Sequence, residues 1–252
     1  MKSGFGKGFD YNYGSDSGFG VGFSTPPPVV RTGLKLHLDA ANPASYPGSG
    51  ATWSDISGNG VNVTLYNTPT FSTSNGGILT FAKASFQYGE TTADLGSMAN
   101  WTVEVWSRLN STLTAGQNPF VTNVYDGVNL NYTIGSSIPL SANATAGFFN
   151  GAWRNATTGQ ALSTGIWYHL LGKYDGATVS FYINAVLKNT LSYAGTPSSG
   201  GNTRIARRWD ALANDANNFV DGAIPVVRIY NRALDVNEIS RNFSAQRLRY
   251  GV

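Results

Sequence analysis

Short segments in which apolar and polar residues alternate recur along the chain from about residue 29, and they constrain the fold more than any other feature. A period of two places successive side chains on opposite faces of a β-strand. In 101–106 the odd-numbered residues are therefore expected on one face and the even-numbered ones, including Glu104, on the other. The alternating segments are 34–38, 61–65, 101–106, 166–171, 178–183 and 224–230. Many short strands separated by turn residues predict an all-β fold, a two-sheet antiparallel sandwich.

Local signals refine this prediction. Asp175-Gly176 is a strong hairpin turn between two strands. Pro225 cannot donate a ladder hydrogen bond and is expected near a strand start or on a sheet edge. Asp235 with Glu238 three residues later forms a capping box, which predicts one short C-terminal helix near 235–247.

Composition excludes several classes of protein. Only 12% of the 252 residues are charged, and three are glutamates, which argues against a helical bundle. The absence of cysteine excludes disulfides and thiolate metal sites. No apolar run is long enough for a transmembrane helix, and the start MKSGFGKGFDYNYG lacks the apolar core of a secretory signal. Acidic residues interrupt the basic ones after position 200, which argues against nucleic-acid binding despite a net charge of +3.

The first 24 residues differ from the rest and predict an extended N-terminal arm. They contain seven glycines, and the pattern Gly-Phe-Gly-x-Gly-Phe occurs at 4–9 and again at 18–23. The segment is too rich in glycine to fold alone, so it is either a disordered tail or a docking peptide; the repeat favours docking. The partner-binding candidates are its aromatic residues Phe5, Phe9, Tyr11, Tyr13, Phe19 and Phe23. Three prolines at 26–28 predict a stiff spacer, so we divide the chain into an arm, 1–30, and a sandwich domain, 31–252.

Several segments resemble a known family. They are LKLHLDAANPASY at 34–46, WSDISGNG at 53–60, WTVEVW at 101–106, 167–185, and DGAIPVVRIYNRAL at 221–234. Their order and spacing resemble a laminin-G-like domain of the concanavalin A-like lectin/glucanase superfamily over about residues 33–250. The resemblance implies a jelly-roll sandwich, a fold that hosts lectins, glycosidases, adhesins and structural modules. The closing Arg249-Tyr250-Gly251 and the missing signal peptide are most similar to versions found in bacteriophage virion proteins.

The carboxylates do not match the superfamily's hydrolases. The resemblance to the superfamily's glucanases implies a strand with the motif Glu-x-Asp-x-x-Glu, which places two carboxylates on one face. Glu104 has no carboxylate at 106 or 108, so it is expected to be structural. We therefore predict no catalytic residues and no enzymatic activity, with glycoside hydrolysis as the third-ranked function.

A calcium site is the cofactor that the resemblance implies. Calcium takes oxygen ligands from carboxylates, amide side chains and loop carbonyls. Laminin-G-like domains often bind it at the rim of the sandwich, which makes Asp55 and Asn59 candidate ligands. The alternative is structural, because Asn59-Gly60 favours a left-handed turn and Asp55 can cap its own loop.

Two segments combine tryptophan with polar neighbours, as sugar-binding sites do. A pyranose ring stacks on an exposed aromatic ring, and nearby polar groups take its hydroxyls. The carbohydrate-binding candidates are Trp153, Arg154 and Asn155 in one segment, and Arg208, Trp209 and Asp210 in the other. The alternative for each tryptophan is a place in the core.

Two functions remain open from the sequence. In the first, the protein is a structural or decoration protein at a virion surface, bound to other virion proteins through its arm. In the second, it is an adhesin module that recognises a host glycan. The two are compatible, and neither involves a membrane. The sequence does not decide whether the chain forms a homo-oligomer.

Overall fold

The computed structural model describes residues 26–113, 118–125, 129–137, 141–197, 201–210 and 215–252. The aromatic residues of the arm (Phe5, Phe9, Tyr11, Tyr13, Phe19 and Phe23) lie outside these ranges. Within them the strands are β1 Leu34–Asp39, β2 Thr52–Trp53, β3 Val63–Tyr66, β4 Thr70–Ser72, β5 Ile78–Phe81, β6 Tyr88–Thr91, β7 Trp101–Leu109, β8 Pro119–Asn123, β9 Asn129–Ser137, β10 Ser141–Asn150, β11 Trp153–Ala161, β12 Trp167–Tyr174, β13 Thr178–Ile183, β14 Val186–Ser192, β15 Thr203–Ile205 and β16 Gly222–Tyr230. One α-helix, α1 Val236–Tyr250, follows β16.

The strands form two antiparallel sheets, which confirms the predicted sandwich with one C-terminal helix. Sheet A has the order β14-β13-β12-β7-β16-β5-β4, with β1 also paired to β16. Sheet B has the order β11-β10-β9-β8-β15-β6-β3-β2. Side chains from the inner faces of the two sheets interdigitate in one large core.

Strand β7 shows how the core is arranged. Trp101, Val103 and Val105 belong to the core between the sheets, as their alternation predicts. Residues on the opposite face of β7 are buried as well, because α1 covers the outer face of sheet A there. The Trp106 ring stacks on Tyr250 of the helix, with ring centroids 4.4 Å apart.

Proline 225 occupies a position that the sequence analysis did not predict. It lies inside the central strand β16, not at its start or on an edge. The pairing of β16 shifts register between Ala223 and Val226, where its neighbour on one side changes from β5 to β1. Such a bulge tolerates a residue without an N–H group. The Pro225 carbonyl still accepts a hydrogen bond from the Ala40 N–H at 2.8 Å.

The C-terminal helix begins as predicted and runs three residues further. The Asp235 side chain accepts hydrogen bonds from the N–H groups of Asn237 and Glu238, and the Glu238 carboxylate accepts one from the Asp235 N–H. This capping box satisfies donors that the first turn cannot pair internally. In the described ranges no helix is long and apolar enough to span a bilayer.

Beneath α1, the outer face of sheet A carries a buried polar network made of His37, Glu104, His169, Arg228 and Asn242. All five side chains are at least 94% buried. Arg228 forms an ion pair with Glu104 and donates from Nε to His37 Nε2 at 3.1 Å. The Asn242 amide, from the helix, donates to Glu104 Oε2 at 3.0 Å. The helix therefore closes the network and is bonded to the sheet through it.

The N-terminal end of the sandwich is attached to the same helix. The Val30 N–H donates to Asn242 Oδ1 at 2.8 Å, and the Val30 carbonyl accepts from the Tyr230 hydroxyl at 3.1 Å. Arg241 Nε donates to the Pro28 carbonyl at 2.7 Å. The last residues of the predicted arm, 28–30, thus join the sandwich on its helix-covered side.

Candidate functional site

Aromatic rings gather on the outer face of sheet B, near the β10–β11 hairpin. Trp153 begins β11 and lies opposite Phe149 of β10, with ring centroids 5.2 Å apart. Trp209, which follows β15, lies 5.0 Å from Trp153. Tyr125, after β8, contacts Phe149 edge-on at 5.8 Å. We call these four residues the aromatic cluster; it brings together the two tryptophans that the sequence analysis placed in separate candidate sites.

The two tryptophans differ in exposure. Trp209 is 94% buried, which fits the alternative of a place in the interior for this ring. It packs behind Trp153, which is half-buried and offers the accessible ring surface of the pair. Trp209 stabilises the orientation of Trp153 through this contact, and Trp153 is the ring that a ligand can reach.

Charged groups border the cluster on the Trp209 side. The Arg208 guanidinium lies 5.0 Å from the centroid of the Trp209 ring and forms an ion pair with Asp210 at 3.0 Å. Arg204 of β15 donates from Nη1 to the carbonyls of Arg208 and Asp210, and its Nε donates to Glu90 at 2.8 Å. Arg204, which the sequence analysis missed, therefore holds the segment 208–210 in place. In the sequence, the only sign of this role is that Arg204 lies between Thr203 and Ile205, a few residues before the segment 208–210.

The segment 153–155 does not act as one unit. Neighbouring residues of a strand point to opposite faces, so Arg154 leaves the face that carries Trp153. Its guanidinium lies 4.0 Å from the centroid of the Tyr193 ring, and its Nε donates to Asn150 Oδ1 at 3.3 Å. Asn155 shares the face of Trp153, but its side-chain oxygen lies over Gly147 of β10, in the space that a Cβ there would occupy. Trp153 and Arg154 thus lie on opposite faces of β11, and a joint role of 153–155 in sugar binding stays a prediction.

A family model supports the resemblance that the motifs suggest. The model of the concanavalin A-like lectin/glucanases superfamily matches residues 83–240, which is more than half of the chain. The chain belongs to this superfamily. No curated protein matches the sequence.

Solved structures share the superfamily fold at low sequence identity. Domain 4 of AbnA, an extracellular GH43 arabinanase from Geobacillus stearothermophilus solved with arabinotriose, aligns with a TM-score of 0.66 and 18% identity over 82% of this chain and 96% of that one. The binding domain of Paraclostridial Mosquitocidal Protein 1 aligns with a TM-score of 0.62 and 15% identity over 84% of this chain. A structure of botulinum neurotoxin type C, whose cell entry depends on interaction with two ganglioside molecules, aligns with a TM-score of 0.62 and 14% identity over 85% of this chain. The chain spans about half the length of the latter two, 52% and 51%.

The loop that the family resemblance suggests for calcium is saturated by its own hydrogen bonds. Each carboxylate oxygen of Asp55 accepts two, which come from the N–H groups of His37, Ser57 and Gly60 and from the Ser57 hydroxyl. The Asn59 amide donates to the carbonyls of Leu34 and Lys35 on β1. A carboxylate that faces four donors does not present its oxygens to a cation. In the described part of the chain no group of three or more potential metal-ligating His, Asp or Glu side chains occurs. The geometry fits the structural alternative better than a calcium site.

The Glu104 carboxylate lies far from any accessible surface. Burial alone would raise the pKa of Glu104, but the charge of Arg228 and the contact with the His169 side chain outweigh burial and hold its pKa at about 2. The carboxylate is therefore ionised and paired with Arg228 beneath α1. In the folded domain Glu104 is bonded to Arg228 and Asn242 and contributes to the polar network beneath α1.

Proposed function

We propose that the sandwich is a non-enzymatic carbohydrate-binding module that stacks a sugar ring on Trp153. The observation that carries this proposal is the convergence of Trp153 and Trp209 with the Arg208–Asp210 ion pair on one surface. An aromatic face supplies stacking for the C–H face of a sugar, and the ion pair supplies a donor and an acceptor for its hydroxyls. The solved relatives named above include a domain bound to arabinotriose and a toxin that interacts with gangliosides.

A glycan array tests this proposal directly. We expect the full chain to bind a restricted set of glycans, and Trp153→Ala to weaken that binding about tenfold or more, because the stacking surface is lost. Trp153→Phe keeps an aromatic ring and should retain part of the affinity. Ile166→Ala, which removes an exposed apolar side chain in the β11–β12 connection, is the matched control and should bind normally. Unchanged binding by a folded Trp153→Ala variant would refute the proposal.

A second candidate function, anchoring to a virion, rests on the repeat in the arm and on where the arm joins the sandwich. The motif Gly-Phe-Gly-x-Gly-Phe occurs twice in residues 4–23. Pro28 and Val30 are bonded to α1 on the outer face of sheet A, whereas the aromatic cluster lies on the outer face of sheet B. An arm that docks on a particle from one side would leave the sugar-binding face turned away from it. In this proposal the protein is a decoration protein at a virion surface.

Deletion of residues 1–24 tests the anchoring role. The truncated chain should stay folded and monodisperse but should no longer co-purify with particles. Replacement of Phe5, Phe9, Phe19 and Phe23 by alanine should have the same effect, because the aromatic rings supply the buried apolar surface of a docking peptide. Replacement of Lys2 and Lys7 by alanine is the control. Full occupancy by the truncated chain would show that the sandwich itself makes the contact.

A further inference from the structure

A groove of about 520 Å³ lies on the rim of the sandwich, and none of its lining residues belongs to the aromatic cluster. Its walls come from the β1–β2 connection, which carries Tyr46 and Ser49, and from the β3–β4 connection, where the chain passes from sheet B to sheet A. In sheet B, β2 and β3 lie at one edge and β11 at the other.

The chemistry of the walls selects a neutral ligand. Among the described residues that line the groove, none is charged. Two aromatic rings, Tyr46 and Phe71, lie 5.5 Å apart in the wall, and Phe71 is half-buried. The hydroxyls of Ser49, Thr68 and Thr70 are exposed at the mouth, and no hydrogen bond within the described residues uses them. Apolar ring surface beside unused hydroxyls suits a sugar, which has C–H faces and hydroxyl edges.

The backbone at the mouth of the groove is strained in a way that packing does not require. Asn67 and Thr68 have φ angles of 58° and 55°, in the left-handed region. A β-branched residue is a genuine outlier there, and glycine would relieve the strain. Yet Thr68 is exposed, so its side chain fills no core space. Strain of this kind concentrates at sites that hold ligands.

The strained turn is also held rigidly. Gln87, which is 93% buried, donates from Nε2 to the carbonyls of both Asn67 and Thr68, at 3.0 and 2.9 Å. The Asn67 amide donates to the Phe86 carbonyl at 2.8 Å. These bonds fix the direction of the Thr68 side chain before any ligand arrives. Such preorganisation reduces the entropy lost on binding.

We propose that this rim groove is a second binding site, which takes a ring of a neutral saccharide between Phe71 and the hydroxyls of Thr68 and Thr70. It does not depend on the aromatic cluster. With two sites built from different residues, one module can bind two glycan chains or two points on one chain, which raises the avidity of the full protein without any new contact.

The decisive variant is Thr68→Gly, because the two roles of Thr68 predict opposite effects. Relief of the positive φ should raise the melting temperature, by about 2 °C. Loss of the hydroxyl and methyl groups should weaken binding in the groove about tenfold. Ala185→Gly is the matched control, since Ala185 has a φ of 62° in a turn between β13 and β14. It should bind normally, and its gain in stability should be smaller because Ala185 also packs against a core cluster. Thr70→Val removes one hydroxyl at nearly constant shape and should also weaken binding.

The experiment is a titration of the ¹⁵N-labelled full chain with arabinotriose, cellotriose and lactose, followed by NMR, with sialyllactose as the anionic counterpart of lactose. A neutral sugar that shifts the amides of 67–71 in the Trp153→Ala variant, and no longer does so after Thr68→Gly is added, supports the groove. If Trp153→Ala alone abolishes all sugar binding, the proposal of a groove site is refuted, whereas the proposal that sugar binds at the aromatic cluster stands. Three other results would overturn the proposed groove site. They are unchanged amide shifts after Thr68→Gly and Thr70→Val, equal binding of sialyllactose and lactose in the groove, and no binding of any sugar.

Discussion

Replacement of His37 by glutamine should remove a large part of the sensitivity of the fold to mild acid. His37 is 94% buried and accepts a hydrogen bond from Arg228, so a proton on its Nε2 would face a guanidinium donor. Burial and the charge of Arg228 lower the pKa of His37 from 6.5 to about 3. The folded chain therefore holds this imidazole neutral at a pH where the unfolded chain protonates it.

The sign and size of the effect follow from this difference. A depressed pKa adds stability that is complete above the unfolded value of about 6.5 and is lost as the pH falls toward 3. Each pH unit in that window corresponds to about 1.4 kcal/mol, so the wild type should lose about 2.7 kcal/mol at pH ~4.5 through His37. The pKa of Glu104 is lowered to about 2 by its charged neighbours, which outweigh burial. The stability that Glu104 contributes is therefore lost mainly below the pKa of an unfolded carboxyl group. The loss of stability between pH ~6.5 and ~4.5 then comes largely from His37.

Urea denaturation at several pH values between about 4.5 and 8 measures the effect. Glutamine can accept the Arg228 hydrogen bond through Oε1 and does not titrate. The difference between the wild-type and His37→Gln free energies of unfolding should therefore shrink by about 2.7 kcal/mol over this range. Lys35→Gln, on the same face of β1, controls for the change of side chain. Parallel pH profiles for the wild type and His37→Gln would refute the assignment of a neutral, buried His37.

Three further predictions concern stability. Gly77→Ala should destabilise the fold by about 2 kcal/mol or more in chemical denaturation, because φ is 150° and the new Cβ would overlap the Ala40 carbonyl; a smaller loss would show that the backbone yields there. Asn242→Ala should lower the free energy of unfolding by about 2–3 kcal/mol, since the Val30 N–H and Glu104 lose buried partners; a near-neutral result would mean that water replaces the amide. Asp55→Ala should lower the melting temperature, while a chelator should leave that of the wild type unchanged; a chelator-dependent shift would restore the calcium alternative.

The alternation of residues predicted six of the sixteen strands, those in which one face lies in the common core and the pattern is regular. Trp101, Val103 and Val105 are in that core, as their spacing indicates. The capping box of Asp235 and Glu238 is local, so it too could be seen in the sequence. Pro225 could not be placed, because its bulge depends on where β5 ends and β1 begins beside β16. Both β5 and β1 are more than a hundred residues from Pro225 in the sequence.

The candidate site was predicted in part for a similar reason. Tryptophan beside arginine marked both segments, but no local pattern shows that Trp153 and Trp209 meet. Alternation would have separated Arg154 from Trp153, had the start of β11 been known. The rim groove gave no signal in the sequence, because it depends on a positive φ at Thr68, a residue that rarely adopts one.

The bonds between Val30 and the C-terminal helix also determine how the domain responds to mechanical force. A pull on the arm reaches the Val30 hydrogen bonds to Asn242 and Tyr230 before it reaches β1. Behind them, β1 pairs with β16, a strand in the interior of sheet A and not at its edge. The load is thus shared between a helix, a buried ion pair and the centre of a sheet. A protein held by its N-terminus in flowing liquid would resist being unravelled from that end.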